Sequence, residues 1–136
     1  MSPLSTVFKV HRWIAGGFGL TLLLLPDAMS SAFRPAFVLP AGERLAYQSW
    51  GCFLLAVAYI VHAAPSFPLE AQRSVATGLL ACFALITILY GYTVAAVTLD
   101  LDFVMGIAAT GSVFAALLFA YAWALTMSPI TKNIKK

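Results

Sequence analysis

The stretch Ser74–Leu99, SVATGLLACFALITILYGYTVAAVTL, decides what kind of molecule this is. It carries no charged side chain from end to end. As a helix it is long enough to cross the hydrocarbon of a bilayer, which takes about 20 apolar residues at roughly 1.5 Å each. Inside lipid every backbone polar group must be satisfied internally, and a helix does this alone. Phe103–Met127 and Leu45–Ala64 are likewise uncharged, which makes three spans. The first apolar run, Trp13–Pro26, is shorter and is bounded by Arg12 and Asp27. It reaches crossing length by starting near Val7, with Lys9 and Arg12 snorkelling to the headgroups, or by running past Asp27 toward Phe33. Pro26, a plausible terminus or kink, favours the first route. A cleaved signal peptide competes, with Lys9 to Arg12 as its basic region and Ser30 to Ala32 near the cleavage point. The expectation is an all-α integral membrane protein: one domain over 1–136, an antiparallel bundle with helices at about 7–26, 43–64, 70–99 and 102–127.

Composition agrees. The chain is 62% hydrophobic and 10% charged, against roughly 25% charged in soluble domains. The net charge of +3 reflects few acids, and the scattered basic residues form no groove interleaved with aromatics, so nucleic acid is not a partner. Cys52 and Cys82 fall inside apolar runs without CxxC spacing and read as buried apolar cysteines, not as a metal or redox site. No glycine-rich phosphate loop, HExxH or DxxxD cluster is present, and the sequence calls for no cofactor and no metal.

Lys and Arg set the orientation. Lys9 and Arg12 open the chain, Lys132, Lys135 and Lys136 close it, and the Asp100–Leu101–Asp102 turn has no basic residue. Both termini are therefore expected in the cytosol, in the endoplasmic reticulum of a eukaryotic cell. Arg34 and Arg44 in the first loop weaken the contrast without reversing it. Pro65 and Pro68 mark a tight cytosolic turn, Glu43 and Glu70 sit at helix starts, and Asp100 reads as an N-cap. Trp13, Trp50, Trp123, Tyr47 and Tyr121 are expected at interfacial depth. Gly16, Gly17, Gly19, Gly78, Gly106, Thr110 and Gly111 offer small-residue surfaces for helix packing or for a homodimer.

Ionisable groups near a membrane are costly and therefore informative. Asp27, Arg34, Glu43, Arg44, Asp100 and Asp102 collect at the extracytosolic mouth. Such a cluster can keep one carboxyl protonated as a general acid while another stays ionised against an arginine; the competing reading is helix caps in headgroups. Arg44, Gln48, Cys52, Tyr59 and His62 recur along one stripe of the second span, which either lines a cavity or hydrogen-bonds neighbouring helices. Gln48 and Tyr59 are its best pocket candidates. Thr87, Tyr90 and Thr98 share a side of the third span, where Tyr90 can donate to a substrate oxygen or to a backbone carbonyl. His11 and His62 lie near the cytosolic ends of adjacent helices and read as interfacial, with a shared metal or haem as the alternative.

The basic start, the Pro26–Asp27 end of the first span, the polar opening Glu43–Trp50 and the very short last hairpin resemble small four-span membrane proteins of fungal secondary-metabolite gene clusters. Some of those are assigned as cyclases, epoxide hydrolases or oxygenases. The resemblance lies in layout along the whole chain, not in a motif. A similar layout occurs in small sterol-biosynthesis scaffold proteins of the endoplasmic reticulum, whose pattern the residues around Arg44 and Trp50 do not reproduce. The resemblance implies acid–base epoxide opening or cyclisation of a lipophilic polyketide or terpenoid. Asp27 would be acid or nucleophile, Glu43 or Asp102 the second carboxylate, and Arg34, Arg44, Gln48, Tyr59 and Tyr90 would orient the substrate. The alternatives are a non-catalytic scaffold tethering biosynthetic enzymes and, third, a small membrane oxygenase led by His11 and His62. Membrane lipid is a partner under every reading.

Overall fold

A computed structural model describes residues 2–33, 38–96 and 101–128 of the chain. Among them every regular element is helical: α1 (Pro3–Leu24), α2 (Pro26–Phe33), α3 (Ala41–Ala63) with a 3-10 turn (Ala64–Ser66), α4 (Leu69–Ala96) and α5 (Leu101–Thr126). Three of these are long and apolar enough to cross a membrane: α3 with its 3-10 extension, α4 and α5. These spans mark an integral membrane protein. α1 meets the same test only when taken together with α2, across a bend of 107°.

The first helix departs from the expected 7–26 at both ends, for local reasons. Ser2 caps it, accepting a hydrogen bond from the Ser5 amide at 3.2 Å, with Pro3 in the first helical turn. That pairing of a capping hydroxyl and a following proline starts helices, and it adds a turn ahead of the apolar run. At the other end Leu25 leaves helical geometry, at φ −131° and ψ 49°. The residue before a proline is pushed out of the α region, and Pro26 has no N–H to return to the Leu22 carbonyl. The chain therefore turns sharply, and Asp27 begins a separate short helix instead of lying in the span.

α1 packs chiefly on α3, and α4 on α5. α3 packs on neither α4 nor α5 among the described residues, although the 3-10 turn joins it directly to α4. The two hairpins meet instead along α1. Leu4, Phe8, His11 and Ala15 of α1 are buried, as are Leu117, Tyr121 and Ala124 of α5, and Ala76 and Phe83 of α4. Aromatic rings fill this seam: Phe8 to Tyr121 at 5.7 Å, His11 to Phe83 at 5.3 Å, and Phe83 to Phe114 at 5.9 Å between centroids. Edge and tilted contacts of this kind add about 0.5–1.5 kcal/mol each beyond the area they bury.

Several expectations are corrected here. Tyr121 is fully buried between the helices, which its place near a span end did not indicate. His11 is 2% exposed and turns into the seam between the helices. Its Nδ1 lies 2.8 Å from the Tyr121 hydroxyl in a hydrogen bond that fastens α1 to α5. Cys52 and Cys82 are both exposed on outer helix faces. A Cβ at Gly17 or Gly78 would meet nothing within 4 Å, so neither glycine packs against another helix of the chain. The close approach is made by Gly19 and by Gly51, which the sequence did not single out. A Cβ on Gly51 would stand 2.8 Å from the Gly19 carbonyl oxygen. Two backbones touch there, a contact small residues alone permit.

Arg73, in the first turns of α4, was also not anticipated. Its Nη1 donates to the carbonyl of Leu125 at 2.9 Å and to that of Ser128, holding the end of α5. Gln72 beside it donates to the Phe67 carbonyl at 2.8 Å and closes the turn between α3 and α4.

Candidate functional site

The break at Pro26 positions an ion pair and a helix-terminal carbonyl within reach of α3. α2 turns away from the α1 axis and carries Asp27 in its first turn. Arg44 lies in the first turn of α3, which starts after Pro40. Arg44 Nη2 donates to Asp27 Oδ1 at 2.8 Å, with both side chains about half exposed. One turn further along α3, Gln48 Nε2 donates to the Leu23 carbonyl at 3.3 Å. That carbonyl lies where the turn at Pro26 interrupts the helical hydrogen-bond ladder, so the glutamine side chain replaces a missing backbone donor.

The polar stripe of α3 thus divides. Arg44 and Gln48 reach the α1–α2 elbow. At the far end of the helix His62 Nδ1 accepts from Arg12 Nη1 at 2.9 Å. Arginine donates and never accepts, so His62 Nδ1 is the acceptor in this pair. Cys52 and Tyr59 point outward, and Tyr59 is 73% exposed. Fifteen residues of helix separate Arg44 from Tyr59, about 22 Å, so Tyr59 stands apart from the Asp27 cluster. Glu43 is exposed at the start of α3.

Tyr90 of α4 is partly buried and meets Phe114 edge-on at 5.7 Å. A Cβ on Gly111 would lie 3.4 Å from its ring, so Gly111 makes room for it. Tyr90 therefore packs between α4 and α5. Near it, Thr87 has a buried hydroxyl with no partner among the described residues. Arg34, Thr98, Asp100 and the side chain of Asp102 lie outside the described residues. The two histidines do not face each other: His11 pairs with Tyr121 and His62 with Arg12. Among the described residues no three His, Cys, Asp or Glu side chains gather as a metal site would require.

Chemically, the elbow presents a carboxylate paired with a guanidinium at the break between α1 and α2. As an ion pair it offers a base or a nucleophile with a cation beside it. No known family model matches the chain, and no curated protein or solved structure matches it either.

Proposed function

We propose that the chain is a four-span integral membrane protein, with α1, α3, α4 and α5 as an antiparallel bundle and both termini in the cytosol. In a eukaryotic cell its place is the endoplasmic reticulum. It acts on a lipophilic polyketide- or terpenoid-like molecule at the α1–α2 elbow, opening an epoxide or assisting cyclisation. Topology draws support from charge. Lys9, Arg12 and Arg73 share the end where α1 and α4 begin, while Asp27 and Glu43 belong to the opposite end.

The Asp27–Arg44 pair carries the chemical reading. A carboxylate bound to a guanidinium is a base or nucleophile, so the general-acid role for Asp27 is set aside. Attack by the carboxylate, or by water it deprotonates, on an epoxide carbon breaks the C–O bond and leaves an alkoxide. A neighbouring guanidinium stabilises that alkoxide. The layout resemblance to membrane proteins of fungal metabolite clusters points the same way.

A second reading, a non-catalytic scaffold for biosynthetic enzymes, draws on a different observation. Arg44, Gln48 and His62 are all engaged with α1 or α2, as structural ties would be. A charge swap separates the two. In reconstituted membranes supplied with a lipophilic epoxide, Asp27→Asn should lower turnover by about 10²–10⁴ with expression intact, the worth of a positioned base. The double variant Asp27→Arg/Arg44→Asp should restore the ion pair and stability but not turnover. Unchanged product formation by Asp27→Asn sinks the assignment of the chemistry to Asp27. Full activity in the swapped variant makes the pair a structural tie with the chemistry elsewhere, and no turnover by the unsubstituted chain leaves the scaffold.

A further inference from the structure

The helices are packed tightly at one end only. The bulky buried side chains Leu4, Phe8, Val61, Phe83, Leu117 and Tyr121 collect in the half where the chain begins. Beyond His11 in α1 and Phe83 in α4, and ahead of Val61 in α3 and Leu117 in α5, the picture changes. Among the described residues these four helices bury only Ala15, Gly19, Gly51 and Gly106 there, all of them small. Gly19 and Gly51 are taken up by the contact of α1 with α3. α3 packs on neither α4 nor α5, yet α2 touches both α3 and α5. The two hairpins therefore stand apart in this half, with α2 across its end.

One wall of the gap belongs to α4. Phe83, Thr87 and Tyr90 follow at spacings of four and three and share a face. Phe83 meets His11 and Tyr121, and Tyr90 meets Phe114, so this face looks into the bundle. Thr87 lies between them. Thr21, Thr93 and Thr110 each return their hydroxyl to the carbonyl four residues earlier, at 2.9, 2.9 and 3.0 Å. The Thr87 hydroxyl does not, and it is buried without a partner among the described residues. Leaving such a group alone is costly. From the facing wall Tyr47 of α3 comes near enough to Tyr90 for the two phenols to interact electrostatically, although their helices do not pack. No charged residue lies between Phe83 and Leu99 or between Phe103 and Leu117. From Thr87 to the described end of α4 at Ala96 the helix rises about 13 Å.

We propose that this gap binds one uncharged lipophilic molecule with a hydroxyl or carbonyl oxygen at its inner end. That oxygen pairs with Thr87, and the hydrocarbon lies beside Tyr90, Tyr47 and Phe114 toward α2. A phospholipid does not fit, since its head calls for charged partners that α4 and α5 lack here. A plain hydrocarbon fits the walls but leaves Thr87 unpaired. The inference rests on the lipophile proposed above for the class of molecule and uses none of the Asp27 chemistry.

The test is photolabelling of the full chain in mixed micelles by a diazirine analogue of farnesol, with the labelled positions read by mass spectrometry. Label should fall on the Phe83–Tyr90 stretch of α4 and around Phe114 of α5. Excess farnesol should compete roughly fivefold better than farnesene, the corresponding hydrocarbon, which is what one hydrogen bond is worth. Thr87→Val keeps the shape of the side chain without its hydroxyl and should make the two competitors equal, while Thr87→Ser should keep the preference. If Thr87→Val loses its helical circular dichroism, Thr87→Ala takes its place. Equal competition in the unsubstituted chain overturns the proposal, and so does a preference that survives the loss of the hydroxyl. Label confined to the exposed residues Leu85, Ile88 and Leu89 also overturns it, marking a probe merely dissolved in the micelle. Farnesol carries no epoxide, so failure of the Asp27 chemistry leaves this pattern intact, and failure of the pattern leaves the Asp27 assignment standing.

Discussion

Replacing Gly51 with alanine adds one methyl group at the tightest point of the fold. That carbon would stand 2.8 Å from both the Gly19 carbonyl oxygen and the Leu23 amide nitrogen, where ordinary contact begins near 3.4 Å. α1 and α3 must therefore part by about 0.6 Å, the difference between those two distances. The Gln48 bond to the Leu23 carbonyl is already 3.3 Å long, and the same displacement carries it beyond hydrogen-bonding range. Overpacking of this kind costs about 1–3 kcal/mol. The loss of a side-chain bond to an otherwise unsatisfied carbonyl adds about 1 kcal/mol. Against this stands at most about 1 kcal/mol gained from the better helix propensity of alanine. Gly78→Ala is the matched control: its Cβ meets nothing, so it receives the propensity gain alone. The propensity gain is common to both, so the two variants should differ by roughly 2–4 kcal/mol in unfolding free energy. Titration of the protein in mixed micelles with increasing denaturing detergent, followed by far-ultraviolet circular dichroism, reads that difference as a shift in midpoint. Gly51→Ala as stable as Gly78→Ala would refute the backbone contact between α1 and α3.

Two other predictions use the same assay or a simple cross-link. Tyr121→Phe leaves the His11 imidazole buried without its partner and should cost about 1–3 kcal/mol, with His11→Phe/Tyr121→Phe costing less than the sum of the singles; strict additivity would show that the 2.8 Å contact contributes nothing. Pro26→Ala restores the N–H that α1 lacks and should let the helix run on, carrying Asp27 away from Arg44. In a chain with Cys52 and Cys82 replaced by serine, the disulfide yield between Asp27→Cys and Arg44→Cys should then fall, and an undiminished yield would mean that the bend does not depend on the proline.

Three of the four long helices were legible in the sequence because lipid imposes a one-dimensional rule: an uninterrupted apolar run of sufficient length. The ends of the first helix were less legible, because its start depends on a capping hydroxyl at Ser2, outside that run. The pairing of Asp27 with an arginine was anticipated, with Arg34 and Arg44 both open. Their meeting depends on how the α1–α2 elbow sits against α3, and among the described residues Arg44 is found there, Arg34 lying outside them. His11 was read as interfacial because it lies between Lys9 and Arg12. Helical periodicity turns neighbours in sequence onto different faces, so His11 goes to the core with Leu4 and Phe8 while Lys9 and Trp13 go outward. Gly51 escaped notice since a lone glycine in an apolar helix acquires meaning only from Gly19 across the crossing. Arg73 was likewise silent, its role being to hold carbonyls of a helix some fifty residues later.

The absence of packing between α3 and α4 has a consequence for synthesis. The first hairpin can close as soon as α3 leaves the ribosome, since Gly19 and Gly51 lie within it. The other face of α1 cannot, because the ring partners of Phe8 and His11 lie in the second hairpin. His11 precedes Tyr121 by 110 residues, and at 5–20 residues per second their meeting waits about 5–20 s. For that interval the half-made protein holds the His11 imidazole and the Phe8 ring without their ring partners. Messages cut short before α5 would yield a hairpin in that state permanently, a ready substrate for membrane quality control.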